Sequence, residues 1–138
     1  MLMNIPFTVA PLIVYNLVGL GLLGDYRNGA VWATDILNVT MVSGATFTLE
    51  LGYLMVLAGL VFLFVEIVKA THTSSPTIFD HALSMVVFII YLIEFIAIGY
   101  CATSVFFTLT MIALIDVVGG FTITIRSARR DFGFEKAE

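Results

Sequence analysis

Four long apolar runs divide this chain. They extend over about 5–23, 49–68, 79–99 and 103–125. Each is about 20 residues, enough to cross a hydrocarbon core of about 30 Å as a helix. In the first run, Asn4 is placed to cap the helix and Pro6 suits its first turn, where a missing N–H costs nothing. Pro11 lies deeper and predicts a kink. In the second, Thr48 is the expected N-cap, with Glu50 favoured by the helix dipole. Asp80 opens the third as a cap with Ser84 in reach, and His81 is expected at the interface. The third and fourth runs are separated only by a short turn near Tyr100–Ser104, so they predict an antiparallel helical hairpin.

Between the first two runs, roughly Gly24 to Phe47, lies the one sizeable polar segment. Its sequence LNVTMVSGATFTLE places β-formers on both sides of Ser43-Gly44, which predicts a small β-hairpin. Tyr26 and Trp32 are natural anchors at a membrane interface. An isolated two-stranded hairpin is marginal in water, so it must lie on the helices or on a partner.

Composition narrows the class. Of 138 residues, 60% are hydrophobic and 12% charged, and the mean hydropathy is +1.07. Soluble domains carry about 25% charged residues, and this chain has too little polar surface to cover such a core. The expected fold is therefore all-α: a four-transmembrane-helix bundle with a small outer loop. It forms a single transmembrane domain over 1–138, with a tail over 126–138. The apolar N-terminal run has no positive region before it, so it is expected to be a retained span rather than a cleaved signal.

The six Lys and Arg residues set the orientation. Lys69 follows the second span, and Arg126, Arg129, Arg130 and Lys136 follow the fourth, whereas Arg27 is alone in the first loop. Five against one puts both termini in the cytoplasm. The net charge of −4 leaves no basic face for nucleic acid. The single cysteine, Cys101, forms no internal disulfide, and no Cys/His spacing specifies a metal. His72 and His81 are unsuitably spaced for one. No motif names a cofactor. Nucleophile elbow, P-loop and zinc-protease signatures are absent, and GLGLLG at 19–24 ends a membrane helix rather than following a strand.

The remaining chemistry lies in polar residues within the spans, where a charge costs about 2.5–3.5 kcal/mol. Glu66 stands three residues before Lys69, the spacing of a self-neutralising pair, and Arg126 is expected within its reach. Gly52, Gly59 and Glu66 recur every seven residues and predict a close-packed stripe. Glu94 has no cation on its own helix, and Tyr91, one turn away, is its expected donor. Asp116 is the deepest acid. It is expected opposite residue 87 of the third span, about 10 Å in depth from Glu94. Asn16 is expected to hydrogen-bond between helices. Arg126, Arg129 and Arg130 are candidates for lipid headgroups.

The succession SGATFTLELG, VEIVKAT, DHALS, ATSVFF and DVVGGFTITIRSARRD resembles small four-span inner-membrane proteins of proteobacteria, a group with no assigned activity. It covers most of the chain after Val42. The resemblance implies a bacterial inner membrane and carries over no functional residue. Small drug exporters of similar length have an essential glutamate in the first span, where this chain has only Asn16. The expected function is a non-enzymatic membrane subunit that packs with lipids and with other membrane proteins or itself. The alternative is a small transporter or proton- or ion-conducting protein using Glu94 and Asp116.

Overall fold

The computed structural model describes residues 5–22, 30–71 and 77–134, with side chains omitted at 77–78 and 127–134. Asn4, Tyr26, Arg27, His72 and Lys136 lie outside the described residues, as do the side chains of Arg129 and Arg130. In order, the elements are α1 (Val9–Gly19), a 3-10 turn (Ala30–Ala33), β1 (Asp35–Thr40), β2 (Thr46–Glu50), α2 (Leu51–Thr71), α3 (Thr77–Ala97), a second 3-10 turn (Gly99–Cys101) and α4 (Ser104–Phe134). The chain is mostly helical. Three segments, Leu51–Thr71, Phe79–Ala97 and Ser104–Arg126, are long and apolar enough to cross a membrane.

The first apolar run forms a shorter helix than its length predicts. α1 has 11 residues, about 16 Å at 1.5 Å per residue. Residues 5–8 enter it through tight turns instead, with Val9 N–H donating to Pro6 O at 3.1 Å and Ala10 N–H to Phe7 O at 3.0 Å. Thr8 is the N-cap. Pro11 is thus the third helical residue, where no intrahelical N–H is required, and the expected kink has no cause. At the other end α4 continues past the expected limit of the last span, as helix to Phe134.

α4 is central, packing along both α2 and α3. Gly52, Gly59 and Glu66 form one buried stripe on α2. A Cβ at Gly59 would stand 2.8 Å from Leu109 Cδ2, and one at Gly52 would stand 2.8 Å from the Trp32 carbonyl oxygen. These glycines are what lets the neighbouring chain approach so closely. At the centre, Phe106 packs edge-on to Tyr15 at 4.7 Å and lies 5.4 Å from Tyr91. Trp32 is not an exposed anchor. It is buried and stacked on Tyr15 at 4.7 Å. The outward sides carry large exposed apolar residues, including Tyr53, Leu57 and Phe64 on α2, Ile89, Ile93 and Ile96 on α3, and Ile115 and Val118 on α4.

The hairpin forms, around a longer turn than Ser43-Gly44 alone. Met41 N–H bonds Ala45 O at 2.8 Å, and Gly44 supplies the left-handed residue at φ +83°. Leu37 pairs with Leu49 and Val39 with Phe47; Asn38 pairs with Thr48 and Thr40 with Thr46. Directly paired residues share a face. One face is therefore apolar and the other polar. The expected caps of α2 are displaced accordingly. Thr48 lies in β2 and bonds Asn38 Oδ1 at 2.7 Å, and Glu50 is the last strand residue, joined to Leu51 with no linker. Leu51 N–H donates to Thr34 O at 2.9 Å, fastening the base of the hairpin to the helix start.

Candidate functional site

Acids on each of the three long helices turn toward α1. At the start of α1, Glu66 of α2 accepts the Phe7 backbone N–H at Oε1, 2.6 Å away. Its other oxygen pairs with Lys69 Nζ at 3.4 Å. Lys69 also sits over the Phe7 ring, 5.6 Å from its centroid. Arg126, the other expected partner, is exposed at the end of the apolar segment of α4. Asp116 of α4 accepts the Thr8 hydroxyl at 3.2 Å and a hydrogen bond from Ser84 of α3. Ser84 thus serves Asp116, one turn from the expected position 87, rather than Asp80. Tyr91 of α3 donates to the Thr8 carbonyl at 3.0 Å. Residues 7 and 8 are therefore gripped from three helices at once. Glu66 and Asp116 are both buried and close enough to feel each other's charge. The helix dipole adds to this arrangement, since carboxylates beside a helix N-terminus are stabilised there.

Toward the other end of α1, Asn16 joins two elements. Its Nδ2 donates to Glu94 Oε2 at 2.7 Å and to its own Leu12 carbonyl at 3.1 Å, while Oδ1 accepts from Tyr100 at 2.6 Å. Asn16 is thus the interhelical hydrogen-bonder that its position in an apolar run predicts. Tyr91 is not the donor to Glu94, because its hydroxyl is committed to Thr8. Beside this network, the Tyr15 hydroxyl lies 3.1 Å from Tyr100 O and 2.6 Å from Thr103 Oγ1. Thr103 in turn accepts the Phe106 N–H at 3.1 Å, closing the first turn of α4. Cys101, fully buried in the turn between α3 and α4, is shielded from water. Burial, with a smaller contribution from Glu94, pushes its thiol up to about 12.

Thr8, Ser84, Tyr100 and Thr103 complete these networks and were not among the sequence candidates for them. The signal available was chemical: an acid in an apolar segment needs donors, and Thr8 near the start of the first run and Tyr100 just beyond the third are polar groups able to supply them. His81, near the start of α3, is buried against α4, with Nε2 2.6 Å from Thr124 Oγ1 and its ring against Phe121. Among the described residues, no group of three or more His, Cys, Asp or Glu converges as a metal site. Arg126 is exposed, as headgroup contact requires. No family model, curated protein or solved structure matches this chain.

Proposed function

We propose that this chain is a multi-pass protein of a bacterial inner membrane, a four-helix bundle that acts as a non-enzymatic subunit beside other membrane proteins or copies of itself. One observation carries the reading. Glu66, Glu94 and Asp116 are each hydrogen-bonded to α1 or the residues leading into it. Their donors are fixed parts of the chain, so the intramembrane acids act as fastenings. The apolar outer sides of α2, α3 and α4 are then free for lipid and for neighbouring helices. Both termini are cytoplasmic in this reading, because five of six cationic residues follow the second and fourth spans. Arg126, Arg129 and Arg130 then meet anionic headgroups.

The alternative, a small transporter or proton- or ion-conducting protein, has one feature in its favour: Glu66 and Asp116 are buried within electrostatic reach of each other. Glu94 is less suited to join them. Its partner Asn16 lies eight residues beyond Thr8, about 12 Å along α1. Gentle purification from the native membrane tests the subunit reading, with Asp116→Asn carried alongside. A defined partner or oligomer, retained in the variant with a normal growth phenotype, is the expected result. A monomer that folds and inserts normally as Asp116→Asn but loses all phenotype would replace the subunit with the conducting protein.

A further inference from the structure

The β-hairpin has no linker to separate it from a membrane-crossing helix. Glu50 ends β2 and Leu51 begins α2, and the bond from Leu51 N–H to Thr34 O ties both strands to that point. The hairpin is therefore held at the bilayer boundary by the covalent chain. Its register then decides what each face meets. Leu37, Val39, Phe47 and Leu49 lie on one face, and Asn38, Thr40, Thr46 and Thr48 on the other. Both faces are largely open, with Phe47 48% and Val39 41% exposed.

The hairpin does not simply prolong the helix axis. Phe47, Thr48 and Leu49 share a groove of about 450 Å³ with Tyr53, Leu57 and Leu60 of α2. Leu60 is nine residues into α2, about 13 Å below its first residue. β2 is thus bent over the outward side of the helix, and the space beneath it reaches hydrocarbon depth. That space contains no charged lining residue. It runs without a break into the exposed apolar side of α2, where Leu57, Leu60, Val61 and Phe64 follow one another. An occupant continuous with the lipid around α2 fits this groove.

We infer that the hairpin is a membrane-surface element. Its Leu37–Val39–Phe47–Leu49 face rests on the bilayer opposite Lys69 and Arg126, and a lipid acyl chain fills the groove beneath β2. Asn38, Thr40 and Thr46 of its polar face meet water. This rests on the membrane reading above and goes beyond it, because a hairpin on a membrane protein can equally stand upright in solvent. It belongs with interfacial elements whose apolar side enters about 5–10 Å into the boundary of headgroups and chains.

Single tryptophan probes in proteoliposomes test it, over the constant background of buried Trp32. Phe47→Trp reports the apolar face, Thr40→Trp the polar face and Phe64→Trp the lipid-facing side of α2. Phe47→Trp is expected to be blue-shifted and quenched by lipid brominated near the headgroup end of its chains, and to resist aqueous iodide. Thr40→Trp is expected to show the reverse. Iodide quenching of both hairpin probes, with Phe64→Trp quenched by lipid, would overturn the inference and leave the hairpin in water. Protection of Phe47→Trp from both quenchers would also overturn it, because a protein would then cover the face. Failure of brominated lipid to quench Phe64→Trp would remove the membrane reading itself.

Discussion

Replacing Asn16 with leucine removes the hub of the polar network that joins α1 to Glu94 and Tyr100. Two bonds between elements are lost, Asn16–Glu94 at 2.7 Å and Tyr100–Asn16 at 2.6 Å. Such bonds in membranes contribute about 0.6 kcal/mol on average and up to about 1.7 kcal/mol. Their joint loss therefore costs about 1–3 kcal/mol. Glu94 is also left without its donor, which adds about 1 kcal/mol for a half-buried acid. The expected total is about 2–4 kcal/mol. Glu94→Leu on its own removes the same Asn16–Glu94 bond but leaves Asn16 bonded to Leu12 and Tyr100. The double variant removes both partners, so it is expected to be more stable than the sum of the two losses by about 1 kcal/mol or more. Titration with a denaturing detergent, followed by Trp32 fluorescence, reads this directly. Trp32 stacks on Tyr15, the neighbour of Asn16, and loses that contact when α1 leaves. If Asn16→Leu stays within about 0.5 kcal/mol of the parent, the range of a neutral surface change, the acids are not fastenings and the proposed function loses its support.

A second of the three fastenings is tested by Asp116→Leu, which removes the acceptor for Thr8 and Ser84; it is expected to weaken α1 docking by about 0.6–2 kcal/mol, and Asp116→Asn by less, as measured by the same titration. Cys101 is expected to resist maleimide in the folded protein and to react fully after denaturation. Burial pushes its thiol up to about 12, so even at pH 9 only about a thousandth is thiolate and labelling of the folded protein should still be slow there. Gly52→Ala is expected to destabilise by about 1–3 kcal/mol and Gly59→Ala by less, both by thermal unfolding. A methyl at 52 meets a backbone carbonyl, whereas one at 59 meets the movable end of Leu109.

The three long helices were legible because hydropathy over about 20 residues is a property of the segment itself. The glycine stripe of α2 was legible for the same reason, since a seven-residue spacing fixes a helix face. α1 was legible as apolar but not as short. Its entry turns are stabilised by Glu66 and Asp116, which lie far along the chain, so local sequence gives no reason to begin at Val9 instead of Ile5. The same distance hid the partner of Glu94. Searching its own helix finds Tyr91, but the bundle spends Tyr91 on Thr8 and supplies Asn16 from 78 residues away. Trp32 followed the general preference of tryptophan for interfaces. That preference is overridden when Tyr15 offers a buried ring to stack on. The hairpin's turn was visible in Ser43-Gly44, but a register irregularity between Asp35 and Leu37 blurs the alternation that would have revealed its two faces.

The grip on residues 7 and 8 has a consequence for how the protein is made. Phe7 leaves the ribosome early, yet its partner Glu66 is encoded 59 residues later and the partner of Thr8, Asp116, 108 residues later. At about 5–20 residues per second of synthesis, the first apolar segment waits about 5–20 s for the last of its fastenings to be translated. During that interval Thr8 and Asn16 lack these partners, and in the membrane reading proposed above the short helix must be held by something else, either the insertion machinery or a provisional contact with α2. α1, which precedes all three of its acidic partners, is thus locked only once they have been made.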